Sequence, residues 1–283
     1  MRIVPAAEHA FYTEVASSRA AALAKLNRIE DILAVEQSQS FKYLVRAAKT
    51  TERSFPSPRQ LWIESRYDCL AQWDAYNYLA PLQSKRVLQL GGAGVAAVQF
   101  MLGGAAEAWL LTPVAHEARW AAELARLAGV KLQCKVGVAE EIPFDDNSFD
   151  AIYAGGCAHH FETEVAFPEI ARVLKPGGRF SAVDPWRAPL YALGIRVFGK
   201  REGNGQVQCR PLTNARVAPL KIFSSYRVNV HGAFLRYPLL AANRLGLQIS
   251  DDMAWNLARL DDCLADRLRA RKWGSSVAIL AEK

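Results

Sequence analysis

Val87, Leu88, Gln89 and Leu90 run directly into Gly91, Gly92, Ala93 and Gly94, and Val95 follows. An apolar strand turning through glycines into a helix is how α/β proteins bring bare backbone close to a nucleotide. The stretch therefore reads as a cradle for a nucleotide-like ligand. Other reactive side chains are sparse. The five cysteines, Cys69, Cys134, Cys157, Cys209 and Cys263, include no C-x-x-C pair. That speaks for reduced thiols, not for a disulfide framework or a zinc centre, and no metal is expected. Cys157 stands between Gly156 and Ala158 with no charged neighbour in sequence; it reads as a packing residue, not a nucleophile. His159 and His160 are adjacent, and imidazole is the side chain most ready to take a proton near neutral pH. His231 reads as a surface or core residue, with reach over a cleft as the alternative.

These residues need elements to position them. From Ala6 to Lys49 apolar residues (Leu23, Leu26, Ile29, Leu33, then Phe41, Leu44, Val45) recur at three- and four-residue steps, predicting helix. A second helix is predicted from Pro58 to Leu79, stopped by Pro81. The pattern then alternates. Strands are predicted at Arg86–Leu90, Ala108–Leu111, Leu132–Val136, Phe149–Ala154 and Arg179–Val183, and helices at Val95–Leu102, Val114–Ala128 and Glu164–Leu174. Strands separated by helices imply right-handed crossovers and a doubly wound, parallel α/β sheet. Ser276–Leu280 reads as a last apolar strand, with Arg227–Val230 as its antiparallel neighbour.

Three linked runs carry a family resemblance. Glu140–Glu141–Ile142–Pro143–Phe144–Asp145–Asp146–Asn147–Ser148–Phe149–Asp150, then His159–His160–Phe161, then Glu169 through Phe180 with its Arg172–Val173–Leu174–Lys175–Pro176–Gly177–Gly178 core follow one another in order. Together with the glycine turn they resemble class I S-adenosylmethionine (SAM) methyltransferases of the ubiquinone/menaquinone-biosynthesis type, over roughly residues 85–185. The resemblance implies a Rossmann-like sheet with an antiparallel final strand, and SAM as cofactor. It implies an N-terminal helical cap over residues 1–80 and a SAM-binding core over 81–184. Residues 185–283 would form a basic lid insertion and the final strands, all within one structural domain. Gln89, Gly91, Gly92, Ala93 and Gly94 would lie by the methionine end of SAM and Thr112 by the ribose. Val138, Ala139 and Glu140 would lie by the adenine, and Ala154 and Gly155 by the sulfonium. His159 and His160 would stand at the cleft rim as candidate bases; alternatively one packs and the other caps the next helix. Asp184, at a strand end that faces substrate in this fold, is the third catalytic candidate, or a turn former before Pro185. Where the family carries acids, this chain has Gln89, Thr112 and Val138, and Ala93 and Val95 replace glycines. Glu117 and Glu140 are the acids nearby. These altered positions motivate an alternative: a methyltransferase-like protein with lost or altered SAM use, acting on another ligand or as a partner subunit.

Charge narrows the choice of acceptor. The chain carries a net charge of +7, and between Arg187 and Arg244 ten basic residues face one acid, Glu202. That segment suggests a small or lipid-like, possibly anionic acceptor, or docking on an acidic membrane surface. Nucleic acid is not expected, because the charge is interleaved with apolar residues and no recognition motif appears. The aromatic N-terminal helices offer core or a homodimer contact. No apolar run approaches a membrane span and the start lacks a signal-peptide core, so a cytoplasmic protein is expected.

Overall fold

Parallel strands covered on both faces need nearly continuous apolar sequence, and Val87, Leu88 and Leu90 of β1 (Arg86–Leu90) are all buried. The computed structural model describes residues 6–36, 39–49, 68–189, 210–245, 247 and 249–283. Around β1 lie β2 (Glu107–Thr112), β3 (Gln133–Val136), β4 (Phe149–Gly155), β5 (Leu174–Pro185), β6 (Ser225–His231) and β7 (Ser276–Glu282). They form one seven-stranded sheet in the order β3-β2-β1-β4-β5-β7-β6. Strands β1 to β5 are parallel, and β7 runs antiparallel to both β5 and β6. The chain winds outward from β1 to β3, then returns to β4 on the other side of β1. That reversal opens a crevice at the carboxyl ends of β1 and β4, where α/β sheets bind ligands.

The helices follow the predicted periodicities with one difference. The first helical region is broken into α1 (Ala6–Leu23), α2 (Ile32–Val35) and α3 (Gln39–Lys49). Of the second, α4 (Cys69–Leu79) is present and residues 58–67 lie outside the described residues. Then come α5 (Val95–Leu102), α6 (Ala115–Leu127) and α7 (Thr163–Val173). The apolar stripe of the N-terminal helices is spent within the chain. Leu23, Ile32, Phe41 and Leu44 are buried with Trp120 and Leu124 of α6, and Phe41 stacks on Trp120 at 6.2 Å between centroids.

The Lys175–Pro176–Gly177–Gly178 run lies inside β5, just after α7 ends at Val173. Phe149 pairs with Leu174, but Ala151 already pairs with Arg179, so the run is a bulge. Gly177, at φ +72, supplies the left-handed turn it needs. Of the basic segment expected as a lid, residues 190–209 lie outside the described residues. Leu212, Val217, Leu220 and Phe223 are core residues under α7 and β5. Among the described residues no helix is long and apolar enough to cross a membrane.

His231 is neither on the surface nor over the crevice. It is 8% exposed at the end of β6, its Nδ1 2.7 Å from Asp262 Oδ2 and its Nε2 3.1 Å from Asp74 Oδ2. Asn229 donates to the same Asp74 oxygen, and Arg271 donates to Asp262 and to the Val230 carbonyl. These groups tie α4, β6 and the helix Asp251–Arg267 together, and the two carboxylates against the ring favour protonated His231. Burial alone would lower its pKa, but the hydrogen bonds and charges of Asp262 and Asp74 outweigh this and raise it to about 9. A raised pKa stabilises the fold fully below the unfolded value of about 6.5, and the stabilisation is lost as pH rises through about 9. The whole effect is on the order of 3 kcal/mol. Urea unfolding at several pH values should show wild-type stability declining from pH 7 to above 9, with His231→Gln nearly flat over that window.

Candidate functional site

The glycine turn is built by backbone conformation. Gly91, Gly92 and Gly94 sit at φ +68, +69 and +77, values L side chains rarely adopt. A Cβ at Gly94 would lie 2.6 Å from Ala121 Cβ, and one at Gly91 would lie 2.9 Å from Cys157 Cβ. The glycines therefore let α5 start against α6 and let the turn lie against the loop after β4. Gln89 braces this arrangement from behind. It is buried, its Nε2 donates to Gly91 O at 2.9 Å, and its Oε1 accepts the Ala97 N–H at 2.7 Å.

Over the turn lies a cavity of about 310 Å³, at the lower end of the range of small-molecule sites. Of the residues expected to bind a ligand, Gly91, Gly92, Val138, Ala139, Glu140, Gly155 and His160 line it. Gln89, Ala93, Gly94, Thr112, Ala154, His159 and Asp184 are not among its lining residues, for reasons the packing supplies. Gln89 is engaged with the turn, Ala93 packs with the N-terminal helices, and Gly94 faces Ala121. Ala154 is fully buried in the sheet core.

Thr112 is fully buried, and its hydroxyl donates to Glu117 Oε2 in a short hydrogen bond while accepting from the Val114 N–H. Glu117 does line the cavity. A carboxylate from the first turn of α6 thus stands beside the end of β2, pinned there by Thr112. Burial raises the Glu117 pKa above the ordinary range, opposed by the Thr112 hydrogen bond and the His9 charge.

Asp184 and His159 form a layer behind the cavity wall. Asp184 accepts the Ala158 N–H at 2.9 Å, the His159 N–H at 3.0 Å, and lies 2.6 Å from His159 Nδ1. Arg216 holds the opposite side of the same turn, donating to His159 O at 3.0 Å and Phe161 O at 2.7 Å. The short 3-10 turn Ala158–His160 is gripped by a carboxylate on its N–H groups and a guanidinium on its carbonyls. Asp184 thus faces this turn. His159 packs and His160 reaches the cavity. Neither caps α7, whose N-cap Glu162 has its N–H accepted by Glu140 Oε1 at 2.8 Å.

Four lining residues carry no motif in sequence: Glu8 and Tyr12 of α1, Glu162 and Arg210. Glu8 is 2% exposed and its Oε1 lies 2.9 Å from His160 Nδ1. Burial, His159, Arg210 and Arg216 all push the His160 pKa down, to about 3. Glu8, Glu117, Glu140 and Glu162 face a single guanidinium, Arg210, among the described lining residues. Such a surface suits a ligand with positive charge and hydroxyls better than an anion.

Part of the chain is similar to known methyltransferases. Residues 88–182 match the family described as methyltransferase domain. An uncharacterized methyltransferase of Mycobacterium tuberculosis is 35% identical over 129 residues, 45% of this chain and 50% of that protein. The phthiotriol/phenolphthiotriol dimycocerosates methyltransferase of the same organism is 35% identical over 142 residues, 42% of this chain and 51% of its own. The chain spans about half the length of the curated relatives it matches. Among solved structures, geranyl diphosphate C-methyltransferase from Streptomyces coelicolor, in complex with geranyl diphosphate and S-adenosyl-L-homocysteine, superposes with a TM-score of 0.51 at 16% identity. The match covers 76% of this chain and 78% of that one. Phosphoethanolamine N-methyltransferase 2 of Haemonchus contortus, with SAM, gives 0.52 at 18% identity over 75% and 51%. At these identities the superpositions speak for the fold.

Proposed function

We propose, for a chain whose residues 88–182 match the methyltransferase domain family, that the protein is a class I S-adenosylmethionine-dependent methyltransferase, that the cavity holds SAM and that the acceptor is small or lipid-like. The observation that carries the proposal is Glu117. It places a pinned carboxylate beside the end of β2, where this fold needs an acceptor for ribose hydroxyls, despite Thr112. The remaining donor set fits the same cofactor. Gly91 and Gly92 offer bare backbone, Leu90, Leu111, Val114, Val138 and Ala139 offer apolar wall, and the carboxylates suit an ammonium and a sulfonium. Glu117 would take the ribose, Val138 and Ala139 the adenine, and Gly91, Gly92 and Gly155 the methionine side.

When bound, SAM supplies a methyl carbon already activated by its sulfonium. What the protein must add is orientation, exclusion of water and a destination for the acceptor's proton. The α1 residues Glu8 and Tyr12 close one side of the cavity, and Phe161 walls another. The four carboxylates argue for a neutral or cationic acceptor in place of the anionic one suggested by the basic segment, of which Arg210 alone is a described lining residue. Lipid-like character is supported by the phthiotriol/phenolphthiotriol dimycocerosates methyltransferase, matched over half its length.

Calorimetric titration with SAM and with S-adenosylhomocysteine (SAH) tests the reading. Saturable binding of one equivalent of each is expected. No heat of binding at millimolar ligand overturns it and favours a methyltransferase-like protein with a different ligand.

A further inference from the structure

His160 has two ring nitrogens with different surroundings. Nδ1 faces Glu8 Oε1 at 2.9 Å, from α1. Among the described residues no hydrogen bond to Nε2 is present, and the side chain is 25% exposed along the cavity wall. A carboxyl oxygen that accepts from Nδ1 holds a neutral imidazole with its proton on that nitrogen. Nε2 then keeps its lone pair. This is how a carboxylate orients a histidine in general: it selects the tautomer and balances the charge once the ring takes a proton.

The charged and titratable groups around the ring come from three directions. Glu8 and Tyr12 approach from α1, and the Tyr12 ring lies edge-on at 6.4 Å. His159 lies beside it at 3.9 Å between centroids, held in turn by Asp184. Arg210 and Arg216 approach from the chain ahead of β6, Arg210 pairing with Glu162 at 3.5 Å. Burial, His159 and the two guanidiniums keep the resting ring neutral. The Glu8 carboxyl is the acidic group in direct contact with the ring.

We propose that Glu8 is a positioning residue that fixes His160 as its Nδ1–H tautomer, leaving Nε2 to take a proton from a molecule in the cavity. The acceptor is then an alcohol, phenol or amine that must lose a proton, not a group that is already an anion. The inference rests on reading the cavity as a methyltransferase site. In the step assigned to His160, the acceptor's O–H or N–H bond breaks and its electron pair stays on the acceptor. The proton joins the Nε2 lone pair, and the resulting imidazolium is balanced by the Glu8 carboxylate.

Nitrogen-15 NMR of the histidine-labelled full chain at neutral pH reads the tautomer without any substrate. In the wild type His160 should show a protonated Nδ1 and a lone-pair Nε2. Glu8→Gln, which keeps a carbonyl acceptor, should preserve this pattern. Glu8→Ala should shift the ring toward the Nε2–H form. A wild-type ring protonated on Nε2, or a tautomer indifferent to Glu8→Ala, overturns the proposal. Titration of the same wild-type sample with SAH separates the two readings. If SAH fails to bind, the methyltransferase reading falls and the proposed acceptor chemistry with it, while the tautomer still tests the Glu8–His160 pairing.

Discussion

Glu117→Ala is expected to weaken SAH binding by about one to two orders of magnitude. A carboxylate accepting hydrogen bonds from a ligand contributes about 1.5–3 kcal/mol, and about 1.4 kcal/mol is tenfold in affinity. No other described carboxylate stands beside the end of β2 in the cavity wall, since Glu140 is turned to the start of α7. The same residue sets a pH dependence. Burial raises the Glu117 pKa, and protonation removes acceptor capacity. Affinity should therefore fall as pH drops, and should begin to fall above the ordinary carboxylate range. Thr112→Val removes the hydrogen bond that opposes this shift, so its loss of affinity should set in at higher pH than in the wild type. Titrations of the three proteins at several pH values check the magnitude and the order.

Asp184→Ala should cost about 3–5 kcal/mol of folding stability. It removes the acceptor for two buried backbone N–H groups and the partner of His159 Nδ1, and each buried polar group left without a partner costs about 1–3 kcal/mol. Asp184→Asn retains one carbonyl acceptor and should cost less. The Ala158–His160 turn would then be held only from its carbonyl side, by Arg216. Urea denaturation measures the loss. An Asp184→Ala protein with wild-type stability but no activity would instead place Asp184 at the substrate, as the strand-end position alone suggested.

The fold was legible because its signals are local. Apolar runs bounded by glycine mark β1 and its turn, and Arg227–Val230 was visible as a strand beside Ser276–Leu280. In the Lys175–Gly178 run the same Pro-Gly-Gly chemistry serves a turn or a bulge, and only the pairing of Phe149 and Ala151 decides between them. The site was less legible. Thr112 and Glu117 are close in sequence, yet only the fold shows the glutamate held by the strand-end hydroxyl and lining the cavity. Glu8 sits in an alanine-rich helix without a motif, and its partner His160 lies far along the chain. Gln89 looked like a lost ligand contact because its work is done toward the Ala97 N–H, behind the turn.

The most direct test of the central claim, that Glu117 pinned by Thr112 completes a SAM site, is a crystal structure of the chain with SAH bound. The expected result has both ribose hydroxyls on the Glu117 carboxylate, the Thr112 hydroxyl still donating behind it, and the adenine beside Val138 and Ala139. A nucleoside bound elsewhere, or a ribose held while Glu117 makes no contact with it, would contradict the account.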